Sequence, residues 1–268
     1  MNEEDARVPG AIRKILPDVA KAVDLIVGRL EQGGRIFYVG AGTSGRLGTL
    51  DAAECPPTFG TPRTLVQGIV AGGRRALVRS VEGAEDDTRA AAAALRKKRV
   101  TSRDVIVGIM ASRRTPYALG AIAYGRKVGA ATIAVTANPA GAGALHCDVV
   151  IAPRVGPEVL TGSTRLKAGT AQKLVLNMLS TATMIRMGKA YENLMVDLRT
   201  ASRKLEERTK RVYMEATGAR YDEALPALRR AGGVLKVAIV MRRAGVSRAE
   251  AERRLRKAQG WVRKAIAG

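Results

Sequence analysis

The chain reads as an α/β protein: a doubly wound parallel sheet of five strands, followed by a small helical C-terminal domain. Three observations predict this. Short apolar runs alternate with helical periodicities from the start to about residue 190. A glycine-rich turn, Gly40-Ala41-Gly42-Thr43-Ser44-Gly45, links the first apolar run to a helix. After Asp197 the strand patterns stop and only helical spacing continues.

The first helix is predicted over Asp18–Leu30, where Val19, Val23, Ile26, Val27 and Leu30 share one face. Strands are predicted at Arg35–Val39, Leu65–Val70, Asp104–Ile109, Thr132–Thr136 and Val149–Ala152. Helical segments separate these runs, which implies a parallel sheet covered on both sides. A long helix from about Gly169 to Gly188 carries Leu174, Leu176, Met178, Leu179 and Met184, and is expected to be buried at a core or dimer surface. Further helices are predicted at about 198–216, 222–231, 234–244 and 248–266, the last opened by the capping-box pattern Ser247-Arg248-Ala249-Glu250. Residues 1–197 and 198–268 are thus expected to form two domains, with Trp261 as a packing anchor in the second.

Composition narrows the function. Aromatic residues are only 3% of a chain that is 46% hydrophobic, so the core must be built from Ala, Val, Leu and Ile. No stretch is long and apolar enough to span a membrane, and the acidic start Met1-Asn2-Glu3-Glu4-Asp5 is unlike a signal peptide, so a cytoplasmic location is expected. Two cysteines, Cys55 and Cys147, fit small packed residues in a reducing compartment. The net charge of +22 invites a nucleic-acid reading. Zinc spacing and RNA-binding aromatics are missing, however, and pairs such as Arg229-Arg230 and Arg253-Arg254 fall on polar helix faces, so nucleic acid is not expected as a partner. The single histidine, His146, reads as a surface or capping residue, and nothing resembles a metal-ligand cluster, so no metal site is expected.

A strand, a Gly/Thr/Ser turn and a helix N-terminus together make an anion site, and Ser44 is placed to cap the helix. Along that helix Leu47 and Leu50 form a stripe whose next position is Glu54. A carboxylate extending an apolar stripe near a phosphate cradle suggests a general acid or base. Glu85 likewise follows Leu77, Val78 and Val81 at helical spacing. A second serine-bearing loop, 111–116, lies at the carboxyl end of a predicted strand, where ligands collect in such sheets.

The run from Gly40 through Glu54-Cys55-Pro56-Pro57 resembles the first motif of the N-acetylmuramic acid 6-phosphate etherases, within the sugar isomerase (SIS) superfamily. The resemblance continues in Val81–Asp87, in Ala111–Tyr117, in Val155–Lys173 and in Asn193–Asp197, covering nearly the whole chain in order. It implies the SIS-type fold, a small helical C-terminal domain, a homodimer and a cofactor-free lyase. That lyase removes the lactyl ether at C3 of N-acetylmuramic acid 6-phosphate, giving N-acetylglucosamine 6-phosphate and D-lactate. It also implies roles: Glu54 as proton donor to the leaving lactate and Glu85 as the base. Thr43, Ser44, Ser112, Arg114 and Thr115 match the phosphate-binding loops, and Glu158, Ser163 and Lys167, with Arg165 nearby, match the substrate-side loop.

Two features depart from the family. Its second loop reads Ser-Gly-Arg-Thr, whereas Arg113 stands here in place of the glycine. Arginine strains such a turn if the position needs a positive φ, and otherwise obstructs or remodels the phosphate loop; obstruction is the expectation, because Arg114 and the hydroxyls already suffice. Family members also carry an N-terminal Thr-Glu-Arg-Asn-like segment, whereas the resemblance here starts at Asn2-Glu3-Glu4-Asp5, so an incomplete site is expected. Both departures suit an alternative, a sugar-phosphate-binding regulator resembling the glucokinase regulatory protein. An aldose–ketose isomerase fits the fold but not the long motifs.

Overall fold

The computed structural model describes residues 1–198 and 203–268. By their internal contacts these residues form two compact units, Met1–Glu54 with Pro62–Thr183, and Cys55–Thr61 with Met184–Gly268.

The first unit opens with α1 (Asn2–Asp5), α2 (Arg7–Arg13) and α3 (Leu16–Glu31). α3 buries Val19, Val23, Ile26, Val27 and Leu30, the face that its periodicity marks. The two short helices before it have too few turns to show a period, yet Val8 and Ile12 are fully buried. The strands are β1 (Ile36–Gly40), β2 (Val66–Val70), β3 (Val105–Met110), β4 (Ala131–Thr136) and β5 (Val149–Ile151); between them run α4 (Gly42–Phe59), α5 (Thr88–Lys97) and α6 (Pro116–Lys127). All pairings are parallel in the order β2-β1-β3-β4-β5. This is the doubly wound five-stranded sheet that the alternating pattern predicts.

Successive strand residues serve opposite faces. Phe37, Val39 and Ile106 join Ala91, Leu95, Tyr117 and Ala121 of α5 and α6 in one core layer. Tyr38 lies on the other face, where Gly48 of α4 comes so close that an added Cβ would stand 2.8 Å from the tyrosine Cβ. At the amino ends of the strands Asp104 ties the sheet together. Its carboxylate accepts from the Arg35 backbone N–H (2.9 Å), from Arg35 Nε (3.0 Å) and Nη2 (2.8 Å), and from the Thr101 N–H (2.8 Å).

α7 (Lys167–Arg186) follows β5 and buries Leu176 and Leu179 completely. In the second unit a hairpin of β6 (Ala190–Tyr191) and β7 (Leu194–Met195) precedes α8 (Arg203–Thr217), α9 (Tyr221–Arg230), α10 (Leu235–Ala244), α11 (Arg248–Lys257) and α12 (Val262–Ala267). Tyr191, Leu194, Tyr213, Leu228, Ile239, Val240 and Val262 meet in its core. The buried Lys236 ammonium donates to Gly188 O (2.8 Å) and Asp197 (2.7 Å), and the Trp261 ring lies against Gly188, so Trp261 is a packing residue.

Three local expectations are corrected. The single helix over 248–266 is two, because Gln259 (φ 52°) and Gly260 (φ 83°) turn left-handed between α11 and α12. The hairpin at 190–195 has two-residue strands, too short for an alternating pattern to appear. Residues 77–85 are not a helix: glycines with positive φ at 72, 73 and 83 divide the stretch into 3₁₀ turns at Gly73–Leu77 and Ala84–Asp86, and Val78 is 83% exposed. The first residues of the helix expected at 198–216, 199–202, lie outside the described residues.

Candidate functional site

The anion cradle forms where β1 passes into α4. Gly40 and Gly45 approach so closely that a Cβ on Gly40 would lie 2.9 Å from Gly45 N, and one on Gly45 would lie 2.5 Å from Gly40 O. No other residue fits either position, and the N–H groups of the first turn of α4 lack intrahelical acceptors, as at any helix N-terminus. Ser44 does not cap this helix. α4 begins at Gly42, which leaves Ser44 inside the first turn, and its hydroxyl donates across to Gln172 Oε1 at 3.0 Å. Both residues are buried. Thr43 turns its methyl group toward Gly169 at the start of α7, so the first turns of α4 and α7 adjoin.

At α7, Glu158 supplies the cap that its sequence position conceals. Its two carboxylate oxygens accept from the backbone N–H groups of Lys167 and Ala168, each at 2.9 Å. Lys167 is fully buried, and its ammonium pairs with Glu4 of α1, which holds the Glu4 carboxyl below its ordinary range. The lysine's charge is therefore already matched within the chain, while Arg165 beside it is exposed and Ser163 half-buried. Glu4 went unmarked in the sequence because an acidic run at an N-terminus reads as solvated.

The second loop follows β3. Ser112 Oγ accepts the Arg114 N–H at 3.4 Å, and Thr115 occupies the N-cap position of α6 without a side-chain bond of its own, which keeps its hydroxyl available. Arg113 does not have a positive φ, so the turn carries no left-handed strain. Its guanidinium rests against Gly141, near 3.0 Å from where a Cβ would stand, and its Nε is buried without a partner.

Glu85 lies on the Ala84–Asp86 turn and lines a cavity of about 140 Å³ with Gly42 and Arg46 of α4 and Ser80–Gly83. Glu54 is exposed and lines a different groove, of about 340 Å³, with Leu47, Leu50, Lys173, Leu176 and Asn177. The stripe of Leu47, Leu50 and Glu54 exists, but it faces outward: Leu50 is 54% exposed. Glu54 stands just over three turns beyond Gly42, roughly 18 Å along the axis, so the chain does not place its two glutamates in one cavity. Under this groove the buried Asp51 accepts from Asn177 Nδ2 (2.7 Å) and Ser180 Oγ (3.1 Å), and burial raises its carboxyl above the usual range. Among the described residues no three His, Cys, Asp or Glu side chains gather where they could hold a metal ion, and no helix is long and apolar enough to cross a membrane.

Sequence reasoning missed Arg46 and Gln172. Arg46 donates from Nε to Ala76 O (2.9 Å) and from Nη2 to Arg79 O (3.3 Å), bracing the loop that leads to Glu85. Its signal was its place within the glycine-rich run, between the cradle and the Leu47 stripe.

Residues 18–126 match the model of the glucokinase regulatory protein N-terminal SIS domain. The phosphoheptose isomerase of Neisseria gonorrhoeae has a similar structure, with a TM-score of 0.51 at 17% identity over 68% of this chain and 94% of that one, which shows the shared fold. Over 99% of its length the chain is 53% identical to an N-acetylmuramic acid 6-phosphate etherase of Mesorhizobium japonicum, covering 87% of that protein. It is 53% identical, over 99% of this chain and 89% of the relative, to that of Serratia proteamaculans. With 99% of its length matched to such relatives at this identity, the chain belongs to the N-acetylmuramic acid 6-phosphate etherase family.

Proposed function

We propose that this protein is a cofactor-free carbon–oxygen lyase of amino-sugar catabolism and peptidoglycan recycling. It cleaves the D-lactyl ether of N-acetylmuramic acid 6-phosphate to N-acetylglucosamine 6-phosphate and D-lactate. The observation that carries the reading is Glu85 in a cavity shared with the first turns of α4, a carboxylate beside a helix N-terminus suited to phosphate. In the ring-opened sugar the C1 aldehyde acidifies the C2 proton, which Glu85 removes. The C3–O bond then breaks, and Glu54 protonates the departing lactate oxygen. Water adds at C3 of the unsaturated aldehyde, and a proton returns to C2. Thr43, Ser44, Ser112, Arg114 and Thr115 hold the phosphate, and Glu158, Ser163 and Lys167 order the substrate side, Glu158 and Lys167 through α7.

The working form in this reading is a cytoplasmic homodimer. The exposed Leu47 and Leu50 beside Glu54 support it, as an apolar surface suited to a second copy, which could then supply its own Glu54 to the cavity of Glu85. The test is incubation with N-acetylmuramic acid 6-phosphate and enzymatic assay of D-lactate. Release of D-lactate in step with N-acetylglucosamine 6-phosphate is the expected result; tight binding of the substrate without lactate would make the protein a sugar-phosphate regulator.

A further inference from the structure

Gln172 stands out because half of its amide is used and half is not. Its Oε1 accepts from the Ser44 hydroxyl at 3.0 Å, while its Nε2 is buried with no hydrogen-bond partner, in a residue only 2% exposed. A serine hydroxyl has one proton. While that proton points at Gln172, Ser44 offers an incoming phosphate only lone pairs, the wrong polarity for an anion.

We propose that Gln172 is a positioning residue which sets the direction of the Ser44 proton and so sets the anion affinity of the α4 N-terminus. The inference rests on the reading that phosphate binds at this terminus. Rotating the amide by half a turn exchanges Oε1 and Nε2. Nε2 then donates to Ser44 Oγ, and the hydroxyl proton is released toward a phosphate oxygen. Neither orientation satisfies both ends of the amide, so a bound ligand can decide between them. A bound anion favours the second, because a hydrogen bond to a charged oxygen is about twice as strong as one to a neutral acceptor. Few side chains can switch from acceptor to donor in place without changing charge; a carboxylate or an ammonium cannot.

The test compares Gln172→Glu, Gln172→Met and Ser44→Ala, titrating inorganic phosphate and N-acetylglucosamine 6-phosphate by calorimetry and measuring KM and kcat for lactate release. An ionised carboxylate at 172 only accepts, so Gln172→Glu, titrated well above the usual carboxylate range, locks the proton away; its phosphate affinity is expected to fall about tenfold or more, with KM rising and kcat changing little. Methionine leaves the hydroxyl free, so Gln172→Met should bind about tenfold better than Gln172→Glu. The double variant Ser44→Ala/Gln172→Glu separates proton direction from simple charge repulsion. Loss of the glutamate penalty in that background supports the proposal, and its persistence overturns it. Equal affinities for the Glu and Met variants would also overturn it. Should Gln172→Glu fail to fold by circular dichroism, Met and Ser44→Ala decide: a Met variant as weak as Ser44→Ala sinks the idea. The wider etherase reading fails separately, through absence of lactate release by the unaltered protein.

Discussion

Arg46 joins the anion cradle to the main chain of Ala76: its Nε sits 2.9 Å from the Ala76 carbonyl oxygen, and Nη2 takes Arg79 O at 3.3 Å. The segment it holds has no regular helix, only 3₁₀ turns punctuated by glycines of positive φ, so its own backbone does little to fix Glu85. The arginine fork does so from the rigid side, α4. Arg46→Met is therefore expected to lower kcat for lactate release by about 10- to 100-fold with a smaller change in KM, the cost of a base displaced by about an ångström. Arg46→Lys should recover only part of it, since a point-like ammonium lacks the guanidinium's rigid planar fork. A Met variant with near-normal kcat would show that the loop holds its shape without the bridge.

Removing either carboxylate, by Glu54→Gln or Glu85→Gln, should reduce lactate release by roughly 10²–10⁴-fold with the fold retained. The separate grooves of the two glutamates make a sharper experiment possible. If a dimer pairs one copy's Glu54 with the other's Glu85, mixing the two inactive variants and allowing subunits to exchange restores activity, to about a quarter of the unaltered level at equal amounts. A mixture that stays inactive under conditions where exchange is verified by mass spectrometry would place both glutamates in one chain's site.

How much of this was legible in the sequence depends on the length over which each signal runs. β1 and β3 were found to within a residue because each is a five- or six-residue run buried on both faces. The stripe ending in Glu54 was real as geometry but misread as burial: hydrophobic spacing marks a face, and only packing shows whether the chain itself covers it. Around Glu85 the spacing of Leu77, Val78 and Val81 imitated a helix that Gly72, Gly73 and Gly83 forbid. Glu158 was singled out from the family motif, yet its cap on α7 bridges an irregular loop and the Glu4–Lys167 pair joins distant parts of the chain, neither of which a local periodicity encodes.

Asp104 yields a pH prediction at the opposite end of the sheet. Burial by itself raises its carboxyl, but the Arg35 guanidinium and the amides of Thr101 and Arg35 outweigh burial and hold it below the ordinary value. A carboxyl lowered in the fold contributes stability that is full above its unfolded value, near 4, and is lost as the pH falls through the folded value. Asp104→Asn should thus cost about 1–3 kcal/mol at pH 7, and the gap in melting temperature should close toward pH 3. An identical gap at both pH values would mean that shape, not charge, is what Asp104 provides.

Arg113 stands where the resemblance leads one to expect a glycine, and the structure alters what its replacement should do. Arg113 sits outside the left-handed region, so restoring glycine relieves no strain. The guanidinium leans on Gly141 rather than on Ser112 or Thr115. What remains is a positive charge, half-buried and lacking a partner at Nε, close to a loop proposed to hold a dianion. Acting through space rather than by contact, it should strengthen phosphate binding modestly and in a salt-sensitive way. Arg113→Gly is expected to weaken N-acetylglucosamine 6-phosphate binding by about threefold at low ionic strength, with the difference vanishing once the Debye length falls to about 3 Å near 1 M salt. Titration of both proteins across that range settles the sign. Tighter binding by the glycine variant would show that the arginine obstructs the loop after all, and a loss that persists at high salt would make it a direct ligand.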